Sequence, residues 1–340
     1  MTRRLGRRVR GGSEDGECLG EGRGSTSKPF VPQKNKRLIG DCKTTRESLF
    51  MGMEKMMMER REFVGGMIGA GVALATERWS DAAREVLRPG LELYSVRNEM
   101  DRDVPGALAM VRRMGFAEVE VAMLHGLSAN QFAAALKAAG LKATSMAAGY
   151  EDLQTRLDLV KERAEAFSVQ WVMLGWIPHS GEFTREDAKR VAREMNEWSE
   201  SLRGKGLRLA YHPHGYEFRP QAGETAFDVL LKESNSKTVF FEIDTFWAEV
   251  AGQNCAQLIA RLGSRVRLLH LKDLRKGAKT GVFTGSAADE DSVAVGDGVI
   301  DWQAVLAAAR KARVERYFIE DESPAVEKQI PRSLEFLTRM

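Results

Sequence analysis

Residues 91–97 read L-E-L-Y-S-V-R, a short alternating run that passes directly into a charged stretch with no glycine turn. That absence decides between two folds. An open doubly wound sheet of the dinucleotide-binding kind wants a Gly-rich turn after its first strand, where the backbone must approach a phosphate. A closed barrel makes no such demand. Runs with strand character recur at 118–122, 142–147, 171–175, 207–212, 238–244, 266–271 and 316–320, and with the first they make eight. Most are near-continuous apolar runs, as parallel strands covered on both faces must be.

The intervening segments carry helix signals. Ser128 and Gln131 form a capping-box pattern ahead of Phe132, Leu136 and Ala139, with Gly140 where a left-handed C-cap belongs. Pro105 opens and Gly115 closes the first helix; Thr184 starts a long one ended by Gly204 and Gly206. Ser323-Pro324 is expected to open the last, with proline at its first position. Eight strand-helix units over residues 88–340 predict an α/β fold, a single (β/α)₈ TIM barrel.

Residues 1–57 are rich in Gly, Arg and Ser without hydrophobic period, and are expected to be a disordered leader or an over-long start. In residues 58–75, Arg60-Arg61 precede Phe63, a modest apolar run and Ala73-Leu74-Ala75, the pattern of a twin-arginine export signal. Export to the periplasm is the expectation; a short amphipathic helix on a cytoplasmic protein is the alternative. The run is too short and glycine-rich for a stable membrane span, which needs about 20 apolar residues. Residues 1–75 hold 15 Lys and Arg against 9 Asp and Glu, so the net charge of +3 leaves −3 on the body. A mildly acidic body argues against a nucleic-acid partner. Cys255 is the one cysteine of the body and predicts no internal disulfide.

Barrel chemistry gathers where strands run into their following loops. Strands five to eight end in A-Y-H-P-H, E-I-D-T-F-W, L-L-H-L-K-D and F-I-E-D-E-S, each supplying a possible metal ligand: His212 or His214, Asp244, His270 and Glu320. Two imidazoles and two carboxylates suit Mn, Co, Zn or Fe as the divalent cofactor better than Ca or Mg, which prefer oxygen alone.

The motifs Y-H-P-H-G-Y-E-F, E-I-D-T-F-W, H-L-K-D, V-G-D-G-V-I-D-W and Y-F-I-E-D-E, in this order, resemble the xylose isomerase-like barrel superfamily in its sugar phosphate isomerase/epimerase branch, over residues 90–340. The resemblance implies a divalent metal held by Glu, Asp, His and Glu against adjacent oxygens of a sugar or keto-sugar. Asp244, His270 and Glu320 match the last three ligands. His212-Pro213-His214 stands where the first Glu belongs, and either histidine can substitute because both face one side of a strand. His212 is nearer the regular strand. Epimerase members use two ligand glutamates as an acid/base pair, so that mechanism does not transfer whole. A single base, Glu320 or Lys272, beside a metal-polarised carbonyl still supports proton abstraction to an enediolate.

The implied function is a metal-dependent sugar isomerase or epimerase. The alternatives are cleavage of 3-keto-glycosides by elimination or hydrolysis, as in exported proteins resembling this branch, and a barrel that only binds sugar. Further candidate contacts are Lys272, two residues past His270, and Glu120, which either points inward or pairs with Arg97. Glu217 is a candidate base. Trp176 and Trp247 are candidate sugar-stacking residues or packing. The glycine-rich connection from Lys272 to Asp301 is expected to be an irregular partial lid.

Overall fold

The structure, a computed structural model, describes residues 87–340; the leader and the twin-arginine segment expected in residues 1–75 lie outside the described residues. Eight parallel strands close into a barrel: β1 (Gly90–Glu92), β2 (Glu118–Val121), β3 (Lys142–Ala148), β4 (Trp171–Leu174), β5 (Arg208–Tyr211), β6 (Val239–Asp244), β7 (Val266–Leu271) and β10 (Arg316–Ile319), with β10 paired back onto β1. The (β/α)₈ TIM barrel expected from the alternation of runs is the fold found. The first strand is shorter than its apolar run implied, because Leu93–Val96 turns as a 3₁₀ helix.

Period two along each strand sorts the barrel interior into layers. Trp171, Ala210, Leu268 and Phe318, with Phe240, pack across one end of the barrel. Arg208 lies 3.9 Å from the centre of the Trp171 ring on that cluster and pairs with Glu315 at 2.6 Å. Two residues further along each strand the side chains become chemical: Ala210 leads to His212, Phe240 to Glu242, Leu268 to His270 and Phe318 to Glu320. One more step reaches His214, Asp244, Lys272 and Glu322 at the opposite mouth. The larger core lies outside the barrel, where the strands' outer faces meet the helices.

The cap signals take the expected geometry. Ser128 and Gln131 form a full capping box, and Thr184 forms one with Asp187. Gly115 and Gly140 adopt positive φ. The last helix departs from expectation: it spans Val326–Thr338 and begins two residues beyond Pro324. Ser323 is engaged instead in a turn, its amide donating to Asp321 and its hydroxyl accepting from the Ala325 amide.

The 272–301 connection is more ordered than its composition implied. Its ends form an antiparallel ribbon, β8 (Asp273–Leu274) with β9 (Ser292–Val293). Asp273 gathers the returning chain: its buried carboxylate accepts from the amides of Leu274, Gly296, Gly298 and Ile300 and from the Trp302 indole. A Cβ on Gly298 would sit 2.1 Å from Asp273 Oδ1, so only glycine lets the backbone come this close. Charge-assisted hydrogen bonds contribute roughly 1.5–3 kcal/mol each and share one acceptor here, so Asp273→Ala is expected to cost ~3 kcal/mol or more. For a domain of this size that is about 10 °C in Tm, read by calorimetry, with amide exchange accelerated at Gly296 and Gly298.

Candidate metal centre and active site

Four side chains meet at the mouth formed by the ends of β5, β6, β7 and β10. His212, Asp244, His270 and Glu320 each present one ligand atom, all within 4.8 Å of one another, and all four residues are buried. Asp244 is also the N-cap of the short helix Thr245–Val250: its Oδ1 accepts from the Phe246 and Trp247 amides, at 2.6 and 3.0 Å, which fixes the carboxylate and leaves Oδ2 without a partner. His212 Nδ1 and His214 Nδ1 are likewise buried without a hydrogen-bond partner. Buried polar atoms are rarely left unmatched. Several of them converging in mixed nitrogen and oxygen chemistry fit a divalent cation, and His212, Asp244, His270 and Glu320 are the residues that could hold it.

The strand-five histidines are in the form that fit requires, and the rest of the cluster binds positive charge. Burial holds His212 well below the ordinary imidazole value and His214 at about 4, so both rings are neutral, the ligating form. Burial pushes Asp244 up to about 7. Burial alone would lower His270, but the carboxylates of Glu242 and Glu320 raise it well above its usual value. The centre of the site therefore favours positive charge.

His270 is gripped from below. Its Nε2 lies 2.8 Å from Glu120 Oε1 and 3.3 Å from Glu242 Oε1, while Nδ1 faces Glu320 Oε2 at 2.6 Å. Carboxylates on Nε2 keep the proton there and turn Nδ1 toward the ligand cluster. Both carboxylates sit at breaks in sheet register, one between Val119 and Glu120 and the other between Phe241 and Glu242. Such irregularities re-aim a side chain. Glu120→Gln is expected to weaken binding of a divalent ion about 10–100-fold, measured by titration calorimetry with zinc, while leaving the fold intact.

Lys272 is buried behind the carboxylates, not in the cavity wall. It pairs with Glu320 at 3.3 Å and with Glu322, and its ammonium lies 4.8 Å from the centre of the Phe246 ring. Burial would lower the ammonium's value; Glu320, Glu322 and Asp244 raise it, so Lys272 stays charged. In return, Lys272 and His270 overcome burial and hold Glu320 well below the ordinary carboxylate range. Glu320 and Glu322 face the cavity, together with His212, His214, His270, Trp176 and Trp247. Neither Lys272 nor Asp273 pairs with the other.

Glu120 points inward as one of its two expected orientations allowed, but it does not pair with Arg97. That arginine reaches Glu322 at 3.9 Å and lies over the Tyr94 ring. Glu217, expected as a base, is buried beneath the mouth and outside the cavity lining. Its carboxylate accepts from the Tyr211 hydroxyl and the His214 amide and so fixes the His212-Pro213-His214 bend. Burial pushes Glu217 up to about 7. A carboxyl raised on folding binds its proton more tightly in the native state, so stability falls as pH rises from about 4.5 to about 7 and stays reduced above. Glu217→Gln keeps an acceptor and removes the charge; its Tm relative to wild type is expected to be higher at pH 8 than at pH 5, by the equivalent of ~3 kcal/mol at most.

Three residues at the centre were not singled out from the sequence. Glu242 was legible, since period two from Asp244 puts both on one face of β6. Glu92, the one charged residue in the apolar run of β1, carried the same signal; burial, then Glu120, pushes it well above its ordinary range. Glu322 follows Glu320 by two and lines the cavity.

Comparison with known proteins agrees with the fold. Residues 108–340 match the sequence profile of the family described as xylose isomerase-like TIM barrel. An inosose dehydratase of Geobacillus thermodenitrificans is 27% identical over 161 residues, 42% of this chain and 50% of that protein. The chain thus spans about half the length of the curated relatives it matches. Among solved structures, a sugar phosphate isomerase/epimerase from Parabacteroides distasonis superposes with TM-score 0.62 at 20% identity, covering 74% of this chain and 98% of that one. The IolI protein, solved with a zinc atom, superposes with TM-score 0.57 at 15% identity, covering 74% and 96%. At these identities the structural likeness establishes the fold.

Proposed function

Because the chain belongs to the xylose isomerase-like TIM barrel family, we propose that it is a divalent-metal-dependent carbohydrate enzyme that withdraws the proton beside the carbonyl of a keto-sugar. The observation that carries the reading is the convergence at the barrel mouth of His212 and Asp244, each with a buried, unpartnered atom, with His270 and Glu320. The zinc atom of the IolI barrel supports it. A cation held there would supply Lewis-acid polarisation of a carbonyl and stabilise the charge left by proton removal.

The protein's own groups do the rest. Glu320 faces the cavity and is held ionised by Lys272, which makes it the acceptor for the proton. Lys272, fixed between two carboxylates, acts through them; it is a positioning residue. Glu320 lines an open cavity of about 760 Å³. Arg163, the one Arg or Lys among the lining residues, is paired with Asp152, while Glu320 and Glu322 add negative charge. That favours an unphosphorylated sugar, in keeping with the export proposed from residues 58–75.

Elimination is the outcome this reading favours after proton removal. Histidine at 212 leaves the metal without the second ligand glutamate that a two-base epimerisation employs. In elimination one base suffices: the carbon–hydrogen pair becomes a double bond, the β carbon–oxygen bond breaks, and the departing oxygen takes a proton. The relatives named inosose dehydratase add support. Isomerisation is the second reading, since the same first step leads to it.

Incubation of the metal-loaded protein with keto-sugars and 3-keto-glycosides in deuterated water separates them. Loss of water or release of the aglycone is expected; solvent deuterium in a recovered or rearranged sugar would assign isomerisation. Saturable binding without either would leave a sugar-binding barrel and end the enzymatic reading.

A further inference from the structure

The cavity has two unlike halves. Its metal half comes from β5, β6, β7 and β10 and supplies His212, His214, His270, Glu320 and Glu322. Its other half comes from β2, β3 and β4 and their loops and includes Met123, in the loop after β2, and Met173, on β4; Met146 of β3 borders it but packs with the core outside the barrel. Val121, Leu124 and Phe167 extend this wall. Trp176, 44% exposed, stands at the junction of the halves, and Met123 is 40% exposed, so two large apolar side chains are left facing the opening.

Polar side chains of the apolar half are already engaged. Asp152 and Arg163 pair with each other at 2.7 Å, and His125 Nδ1 is bonded to Asp101 at 2.7 Å. A hydroxyl pressed against this wall would exchange water for no partner, at a cost of roughly 1–3 kcal/mol. The size points the same way. A hexose of twelve heavy atoms, each taken at about half the ~30 Å³ share of a water, displaces roughly 200 Å³. A cavity of about 760 Å³ leaves room for a second group at least as large. Methionine thioethers and an indole are adaptable, polarisable contacts for flat rings.

We propose that the methionine wall is a subsite for an apolar, flat aglycone, so that the substrate is a keto-glycoside of an aromatic or similarly apolar alcohol and not a free sugar or a disaccharide. This deepens the reading above and rests on it: the sugar lies on the metal half, and the group expelled by elimination is the alcohol on the wall. Atoms balance without a further reactant, because the proton taken from the carbon beside the carbonyl leaves with the alcohol oxygen.

The test compares phenyl β-D-glucoside, D-glucose and cellobiose as ligands of the zinc-loaded protein by calorimetry. Phenyl glucoside is expected to bind at least tenfold more tightly than either other sugar. Met123→Asp, at an exposed position that tolerates charge, is expected to abolish that margin, and Met173→Ser to reduce it. Cellobiose binding as well as phenyl glucoside, no saturable binding of phenyl glucoside, or a margin that survives both substitutions would overturn the proposal. His270→Ala separates the two readings: a phenyl margin that persists with glycoside affinity unchanged by metal loss sinks the sugar-on-metal reading and spares the wall.

Discussion

Alanine at position 270 is expected to strip the protein of its divalent ion and to lower turnover at least ~10³-fold, the equivalent of the several kcal/mol that a metal supplies to a developing anion. The size of the effect follows from where the ring stands. His270 is the one residue shared by the ligand cluster and the carboxylate layer below it, with Nδ1 toward Glu320 and Nε2 on Glu120. Removing it deletes a ligand and also leaves Glu120 and Glu242 buried together without the positive partner between them, so that carboxylates must protonate or repel. Metal content by mass spectrometry and turnover should fall together, whereas Glu120→Gln should weaken the metal and spare most of the turnover at saturating zinc. Retention of one ion per chain in His270→Ala would remove this cluster as the metal centre.

Lys272→Met is expected to reduce turnover ~10²–10⁴-fold, the range for a misplaced acid/base group, while the metal stays bound. Glu320 is low because Lys272 is charged beside it. Without that charge its value rises, so the acidic limb of the pH–rate profile, where activity grows as Glu320 ionises, is expected to move to higher pH. Breaking a buried pair from one side costs roughly 3–5 kcal/mol of stability, and the methionine variant will be correspondingly fragile. Lys272→Arg controls for that: it keeps the charge and the wild-type limb but not the full rate, because a planar guanidinium cannot occupy the same point between Glu320 and Glu322. A profile that does not shift in Lys272→Met would show that Glu320 is not the group titrating.

The barrel and the side chains that meet at its mouth were readable because each rests on a strict local rule. Burial on both faces forces continuous apolar strands, and chemistry at the C-terminal mouth confines the candidates to strand ends, so Asp244, His270, Glu320 and the pair His212 and His214 could be picked out as candidate ligands from position. What the sequence hid depends on depth and on pairing between distant strands. Glu217 and Lys272 looked like reachable bases, yet one lies beneath the mouth and the other behind two carboxylates, because the 3₁₀ turn Tyr216–Phe218 and the step from His270 carry them inward. Glu120 and Glu242 stand 122 residues apart and meet only because two register breaks aim them at one nitrogen. The ribbon and the Asp273 knot were hidden by glycines whose purpose is close backbone approach, which composition alone reads as irregular loop.

That knot separates two parts of the enzyme that selection can alter independently. Asp273 ties down the base of the loop on both sides, next to Lys272, while the far part of the same loop brings Gly285 against Trp176 and Tyr216 at the cavity mouth. Between them Ala278, Val282 and Ala287 pack on Phe246, Trp247 and Val250, in the helix that Asp244 caps, so this part of the loop is tied to the site. What a lineage inheriting this barrel can exchange is the exposed set around Thr284, Ser286 and Asp289, which reshapes the rim of the cavity and leaves Asp244 and Lys272 in place.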